Sequence, residues 1–202
     1  MKKMIFGIAL AAIMALASCE QADHERYFRA TPMDGGASVR IVEYLGDRWA
    51  VNIPSRIQGL PVTHIGSHAF SNSSLTSVTI PNSVVTIESG AFRNNQLASV
   101  TIPNSVAYIG SYAFADNSLT SVTIRRGVTH IGNGAFENNY LTSVAITDSV
   151  TSIGQRAFWD NELASATVPA NTRLLNVYSQ GWGGLTATGP FERNPGVAVT
   201  RR

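Results

Sequence analysis

The sequence predicts a solenoid of stacked β-strands, and three observations lead to this prediction. A 22-residue unit recurs without gaps, each unit contains an alternating segment of the form L-x-x-V-x-I, and a proline commonly follows that segment. Self-similarity at a fixed period of 20 to 50 residues is typical of solenoids, propellers and related arrays. Because one such unit cannot bury its own apolar face, neighbouring units must stack.

The repeat is clearest in four consecutive units of the chain. They read LTSVTIPNSVVTIESGAFRNNQ from Leu75, LASVTIPNSVAYIGSYAFADNS from Leu97, LTSVTIRRGVTHIGNGAFENNY from Leu119 and LTSVAITDSVTSIGQRAFWDNE from Leu141. An earlier unit carries five extra residues around 58–61, and a further unit begins at Leu163 and loses the pattern after Leu174. Insertions in solenoids fall in loops on one face, so a loop is predicted at 58–61.

Each unit predicts one strand followed by a return segment. In the second unit Val100 and Ile102 alternate with hydroxyl residues, so both are expected to point inward, and Pro103 ends the strand because it has no N–H for a sheet ladder. The chain returns through V-x-x-I-G-x-x-A-F, where a glycine such as Gly110 would permit a tight or positive-φ bend. The phenylalanine that ends this segment is expected to stack from unit to unit as Phe70, Phe92, Phe114, Phe136 and Phe158.

Polar pairs mark the turn into the next strand. They are Asn94-Asn95, Asp116-Asn117, Asn138-Asn139 and Asp160-Asn161. Asparagine tolerates the left-handed region and hydrogen-bonds to nearby backbone, which suits a stacked turn. Most of these turns lack the glycine-flanked aspartates of calcium-binding repeats, so no metal is expected there.

The pattern L-x-x-V-x-I-P-x-x-V-x-x-I-G-x-x-A-F-x-x-N resembles the BspA-type, or treponema-type, leucine-rich repeat of bacterial surface proteins, over about residues 39 to 175. The resemblance implies a leucine-rich-repeat solenoid with a curved parallel β-sheet on one side and short irregular turns on the convex side. Family members commonly carry a cysteine where this chain has Asn95, Asn117, Asn139 and Asn161, a difference expected to change little beyond the side chain that fills the turn. The resemblance also implies adhesion to host extracellular matrix or to other cells, and it carries over no catalytic residue.

The N-terminus has the features of a secretion signal. Lys2 and Lys3 precede an apolar run that ends at Leu16 and is short for a membrane span. Small residues then precede Cys19, the only cysteine, which resembles the lipobox of bacterial lipoproteins. Cys19 is therefore predicted to be acylated and to attach the chain to a membrane; the alternative is ordinary cleavage nearby, which leaves a free thiol.

These features divide the chain into four parts. They predict a lipoprotein signal peptide at 1–18, a flexible tether at 19–37, the leucine-rich-repeat domain at 38–177 and a degenerate C-terminal cap or tail at 178–202. The tether is predicted because its few aliphatic residues cannot bury enough surface to fold alone. Lys2 and Lys3 lie in the predicted signal peptide, and the rest of the chain has thirteen arginines against thirteen acidic residues. This balance gives no electrostatic footprint for nucleic acid.

Two sets of residues are candidates for partner contact. The strand residues that point away from the core form a small, polar, uncharged face represented by Ser99, Thr101, Ser121 and Thr123. Cross-strand packing of hydroxyl side chains explains such a face equally well. The second set departs from the repeat consensus and is rich in the residue types found at interfaces: Tyr108, Tyr112, Arg125, Arg126, Tyr140 and Trp159. An ion pair between Arg126 and Asp148 of the next repeat is an alternative reason for that arginine.

The sequence gives no reason to expect catalysis, a metal or another cofactor. His64 and His68 have a ligand-like spacing, but no cysteine or carboxylate supports them. The leading hypothesis is a surface-anchored binding protein that contacts proteins of host matrix or other cells. The alternatives are a periplasm-facing envelope scaffold lipoprotein and an accessory module of a glycan-acting enzyme. Homo-oligomers are a further possibility, because solenoid ends expose strand edges.

Overall fold

The computed structural model describes residues 25–175, 177–181, 184–188, 190–191 and 198–201. They form a parallel β-solenoid of about six turns. In chain order its elements are β1 Phe28–Met33, a 3-10 helix Asp34–Gly36, β2 Ser38–Tyr44, β3 Ala50–Asn52, β4 Arg56–Ile57, β5 Leu60–Ile65, β6 Ser77–Thr79, β7 Thr86–Ile87, β8 Ser99–Ile102, β9 Tyr108–Ile109, β10 Ser121–Ile124, β11 His130–Ile131, β12 Ser143–Ala145, β13 Ser152–Ile153, β14 Ser165–Val168, β15 Arg173–Leu174, β16 Val177–Gly181, β17 Gly184–Thr188 and β18 Ala198–Arg201.

Every turn contributes one strand to each of two sides of the solenoid. The first side, called here the hydroxyl side, consists of the L-x-x-V-x-I strands β3, β6, β8, β10, β12 and β14, which pair in parallel within the groups β3–β6, β8–β10 and β12–β14. The second side is a ladder in the order β1-β2-β5-β7-β9-β11-β13-β15. On this side the V-x-x-I segments make two-residue strands that hydrogen-bond in series, and short turns join them to the rest of each repeat.

The core lies between the two sides and is made of repeated columns. Val100 and Ile102 are buried, as the alternation predicts, and so is Ile109 from the opposite side. The predicted phenylalanine column is confirmed, with centroid separations of 5.0–5.4 Å between neighbouring rings from Phe70 to Phe158. Tyr44 extends the column at one end and Phe191 at the other, at 5.4 and 5.3 Å.

Glycine occupies this position of the return segment for a different reason from the expected one. Positive φ occurs two residues later, at positions such as Gly90, Tyr112 and Gly134, and not at Gly110. A Cβ at Gly110 would lie 2.6 Å from the backbone of Glu88 and Ser89 in the preceding turn. At Gly110 the two turns approach too closely for a side chain, although the same position in the preceding repeat holds Glu88.

The N-terminal end of the solenoid corrects the expected extent of the tether. The predicted tether over 19–37 does not hold for 28–37, because β1 pairs antiparallel with β2 and Phe28 is buried against the core. The physical reason is that this segment does not fold alone: an existing sheet edge supplies the hydrogen bonds and a core that its own composition lacks. Residues 1–24, with the predicted signal peptide and Cys19, lie outside the described residues.

The insertion around 58–61 is also more regular than a loop. Strands β4 and β5 pair antiparallel, and the turn between them has positive φ at both Gln58 and Gly59. Two central residues with positive φ define the turn that best matches the twist of a two-residue hairpin. The Gln58 N–H donates to Glu25 Oε2 at 3.1 Å, so this hairpin contacts the start of the described chain.

Parts of the predicted C-terminal cap or tail continue the solenoid. Strand β18 pairs in parallel with β14, and Phe191 stacks on Phe158. Strands β16 and β17 form an antiparallel hairpin. No helix within the described residues is long and apolar enough to cross a membrane.

Candidate binding surface

The hydroxyl side presents the predicted Ser/Thr face in register. Ser99 pairs with Ser121, and Thr101 with Thr123, in adjacent parallel strands. All four side chains are exposed, while the valine and isoleucine between and after them point into the core. The serine row continues in β12 and β14, where Ser143 pairs with Ser165, but Ala145 replaces the threonine of β12. Since parallel strands lie about 4.8 Å apart, hydroxyl groups recur at that interval along the surface.

A shallow groove of about 370 Å³ lies on this face. Its lining includes Ser77, Thr79, Ser99, Thr101, Asn82 and Arg125. Arg125 occupies the position held by proline in the two preceding repeats, so one cation lies beside a neutral polar surface. Arg126 is exposed as well, and its ion pair with Asp148 stays a prediction.

The candidate aromatic residues do not form one surface. Tyr108 is 43% exposed on the opposite side of the solenoid, where its ring lies 6.4 Å from that of His130. Tyr140 is 53% exposed in the turn before β12, and Trp159 is half-buried with the Arg156 guanidinium 4.8 Å from its ring centroid. The structure thus places Tyr108 on the side opposite the hydroxyl face, and Tyr140 and Trp159 in the turns between strands.

Tyr112 has a structural role that the sequence pattern did not suggest. Its backbone is in the left-handed region, with φ 56°, and its ring covers Gly134 of the next turn. The Arg93 guanidinium lies 5.5 Å from the ring centroid on the other side. Packing of this kind explains why a large residue and a glycine occupy the same position in successive repeats.

Arg93 also belongs to a polar network along the turns, called here the turn edge and defined by Arg93, Asp116, Glu137 and Asn138. Arg93 Nε donates to Asp116 Oδ2 at 2.8 Å, and Asn138 Nδ2 donates to Asp116 Oδ1 at 2.9 Å. Burial alone would raise the pKa of Asp116, but the hydrogen bonds from Asn138 and Arg93, together with the Arg93 charge, hold it below its ordinary value. Only alignment of consecutive repeats could have indicated this network from sequence.

Glu137 lies next along the turn edge, and its pKa is shifted in the opposite direction from that of Asp116. Burial raises its pKa, and the nearby negative charge of Asp116 adds to the effect, although Arg156 and Arg93 oppose it. Among the described residues its Oε2 is buried without a hydrogen-bond partner. The described part of the chain contains no group of three or more His, Cys, Asp or Glu residues suited to a metal ion.

The repeats of this chain match a known protein family. The model of the BspA type leucine rich repeat region matches residues 63–179 in six copies. The chain belongs to this family. The BspA-type repeat of this chain is therefore the 22-residue turn described above, with one strand on each side of the core.

Solved structures agree with the assignment to the BspA-type repeat. The T. pallidum leucine rich repeat protein is 30% identical, covers 71% of this chain and 69% of its own length, and superposes with a TM-score of 0.64. A leucine-rich repeat protein from Eubacterium ventriosum is 19% identical over 86% of this chain and 42% of its own, with a TM-score of 0.52, which shows the fold alone. No curated protein matches the chain.

The asparagines of this BspA-type repeat do more than fill the turn, so that expectation is wrong. Asn117 Oδ1 accepts from Leu97 N–H at 3.2 Å, and Nδ2 donates to the carbonyls of Phe92, Phe114 and Ala115 at 3.0–3.1 Å. Asn95, Asn139 and Asn161 make equivalent bonds. A thiol offers one weak donor and a weak acceptor, so a cysteine at this position cannot make all four of these bonds. The preceding residue of each pair supplies the left-handed backbone, as at Asn94 and Asp116.

Proposed function

We propose that this chain is a surface lipoprotein, anchored through Cys19, whose hydroxyl side binds a partner protein of the host extracellular matrix or of another cell. Leucine-rich-repeat folds are typical protein-interaction scaffolds, because an extended row of strands offers a broad regular surface. The proposal assigns the contact to the hydroxyl side and leaves the opposite side, with Tyr108, outside it.

The observation that carries the proposal is the groove beside Arg125. It combines hydroxyl groups from consecutive turns, each a donor and an acceptor, with one exposed guanidinium at its edge. Arginine presents five N–H donors in a planar fork that suits carboxylates, so the groove fits an acidic segment of a partner protein. Packing of hydroxyl side chains within the sheet accounts for the serines and threonines but not for an arginine at a proline position.

A capture experiment with side-specific variants tests the assignment. Residues 20–202 would be immobilised and exposed to laminin, fibronectin and collagen. Thr101→Glu and Arg125→Glu alter the hydroxyl side at exposed positions, and Tyr108→Glu is the matched change on the opposite side. We expect capture to fall at least about tenfold in the first two variants, the effect of losing about 1.4 kcal/mol, and to persist in the third. Loss only with Tyr108→Glu would contradict the assignment.

Surface display is tested separately in intact cells. Digestion by an added protease before the outer membrane is disrupted supports display. Protection until disruption supports instead the alternative role as a periplasm-facing scaffold. Mass spectrometry of the processed N-terminus shows whether Cys19 carries the acyl groups or a free thiol.

A further inference from the structure

The N-terminal end of the solenoid exposes an apolar patch that the proposed binding side does not include. This N-terminal patch consists of Tyr27, Leu45 and Trp49. Trp49 is 71% exposed and Leu45 is 56% exposed, the two largest values among the exposed large hydrophobic side chains of the described residues. Tyr27 is partly buried against the core and has Arg26 and Arg48 within 5.6 and 5.8 Å of its ring centroid.

The exposure of Trp49 does not result from a loose loop. The Leu45 N–H donates to the Tyr27 carbonyl at 2.7 Å, and the Arg48 N–H donates to Tyr44 Oη at 3.2 Å. The Trp49 carbonyl accepts from the Thr76 N–H at 2.7 Å, in the turn below. The backbone is thus fixed on both sides of a tryptophan that the fold leaves in solvent.

The position of the patch along the chain points to what covers it. Tyr27 is eight residues after Cys19, and the described chain begins at Glu25, only six residues after it. Six residues span at most about 20 Å even when fully extended. If Cys19 is acylated, the N-terminal end of the solenoid therefore stays close to the bilayer at all times.

We propose that the N-terminal patch seats the solenoid on the lipid bilayer, with Trp49 and Leu45 in the interfacial layer. This inference rests on the lipid anchor of the proposed function. Tryptophan and tyrosine favour the membrane interface because their rings are apolar with one polar group. The guanidinium groups of Arg26 and Arg48 lie beside Tyr27, at the N-terminal end of the solenoid, where they can contact lipid phosphates. Seating would fix the solenoid's N-terminal end at the membrane and direct the later turns away from it.

The local charges make the expected lipid dependence specific. Arg26 and Arg48 are balanced by Glu25 and Asp47 in the same short segments. Net attraction to an anionic surface is therefore small, and burial of apolar area supplies most of the binding. Binding should accordingly be similar on zwitterionic and anionic vesicles and should change little with salt.

Because Cys19 is the only cysteine, the seating can be tested independently of natural acylation. A maleimide lipid is coupled to Cys19 in the chain from Cys19 onward, and the conjugate is placed in phosphatidylcholine vesicles with lipids brominated near the head group. Bromine quenches tryptophan only at close range. We expect the tryptophan fluorescence of the wild type to be quenched. Trp49→Phe should abolish this quenching, and the matched Trp159→Phe should retain it. Quenching unaffected by Trp49→Phe would overturn the proposal.

A second measurement uses unlipidated protein. Cys19→Ser and Cys19→Ser with Trp49→Ser are compared for partition onto phosphatidylcholine vesicles, after circular dichroism shows equal folding. Loss of one tryptophan that inserts into the membrane interface should weaken partition by at least about tenfold. If Trp49→Ser instead turns a dimer into a monomer without lipid, the patch joins two copies and the proposal is wrong. If the lipid conjugate shows quenching by Trp49 but the natural protein carries no acyl group on Cys19, only the lipid anchor of the proposed function is contradicted.

Discussion

At the scale of single residues, the buried asparagine is the most informative position. Each one closes a turn by bonding to backbone groups of its own turn and of the preceding turn, as Asn117 does with Phe114 and Phe92. Buried backbone groups without partners are costly, so one side chain here satisfies groups that the turn geometry leaves free. The asparagine is thus part of the inter-turn hydrogen bonding.

Asn117→Ala should lower the free energy of unfolding by about 2–4 kcal/mol, because it leaves several buried backbone groups without partners. Urea unfolding followed by circular dichroism measures this loss. Asn94→Gly is the matched control, since Asn94 is exposed and glycine adopts its φ of 56° freely. Equal losses in the two variants would show that the buried bonds contribute nothing specific.

At the scale of elements, the turn edge links consecutive turns through charge. The folded pKa of Asp116 lies below its ordinary value, so its ionised form stabilises the fold. That contribution is fully present above about pH 3.8, the ordinary value, and is lost as the pH falls through the folded pKa. Glu137 has a raised pKa, so its ionised form destabilises the fold, and this penalty is relieved as the pH falls.

Asp116→Asn and Glu137→Gln should therefore have opposite effects. At pH 7 we expect Asp116→Asn to lower stability by about 0.2–1 kcal/mol, a range typical of partly exposed pairs, and Glu137→Gln to raise it. Both differences from wild type should shrink as the pH approaches 3. Thermal unfolding across this pH range measures them, and a shift of the same sign in both variants would contradict the assignment.

At the scale of the whole molecule, stability depends on covering the two ends. Each inner turn has a neighbour on both sides, whereas an end exposes strand edges and the last ring of the phenylalanine column. Strand β1 covers the N-terminal end, where Phe28 lies 5.6 Å from Tyr44 and 6.1 Å from Phe70 between ring centroids. Strand β18 and Phe191 occupy the other end.

Removing β1 should therefore expose both an edge and an apolar surface. A chain that begins at Ser38 is expected to self-associate on size-exclusion chromatography as concentration rises and to unfold at a lower temperature. Loss of the buried Phe28 side chain alone should contribute about 3–5 kcal/mol. A chain that begins at Glu25 keeps β1 and serves as the control. Monomeric behaviour of the shorter chain with an unchanged midpoint would show that β1 is not a cap.

The sequence by itself determined the repeat length, the positions of the L-x-x-V-x-I strands, the inward residues and the phenylalanine column. These follow from local chemistry that every unit repeats, because apolar alternation, proline and the polar pair act within about 22 residues. The same repetition also predicted the exposed hydroxyl rows, which Ser99 and Thr101 confirm.

Only the tertiary structure decided what happens between turns and at the ends. The reason for Gly110 is a contact with the previous turn, and the pairing of Arg93 with Asp116 crosses repeats. Residues 28–33 are too few to bury a core of their own, but they form β1 because β2 offers an open edge. The exposure of Trp49 follows from how its loop is fixed between turns. Such contacts join residues that no single repeat contains, so local pattern could not reveal them.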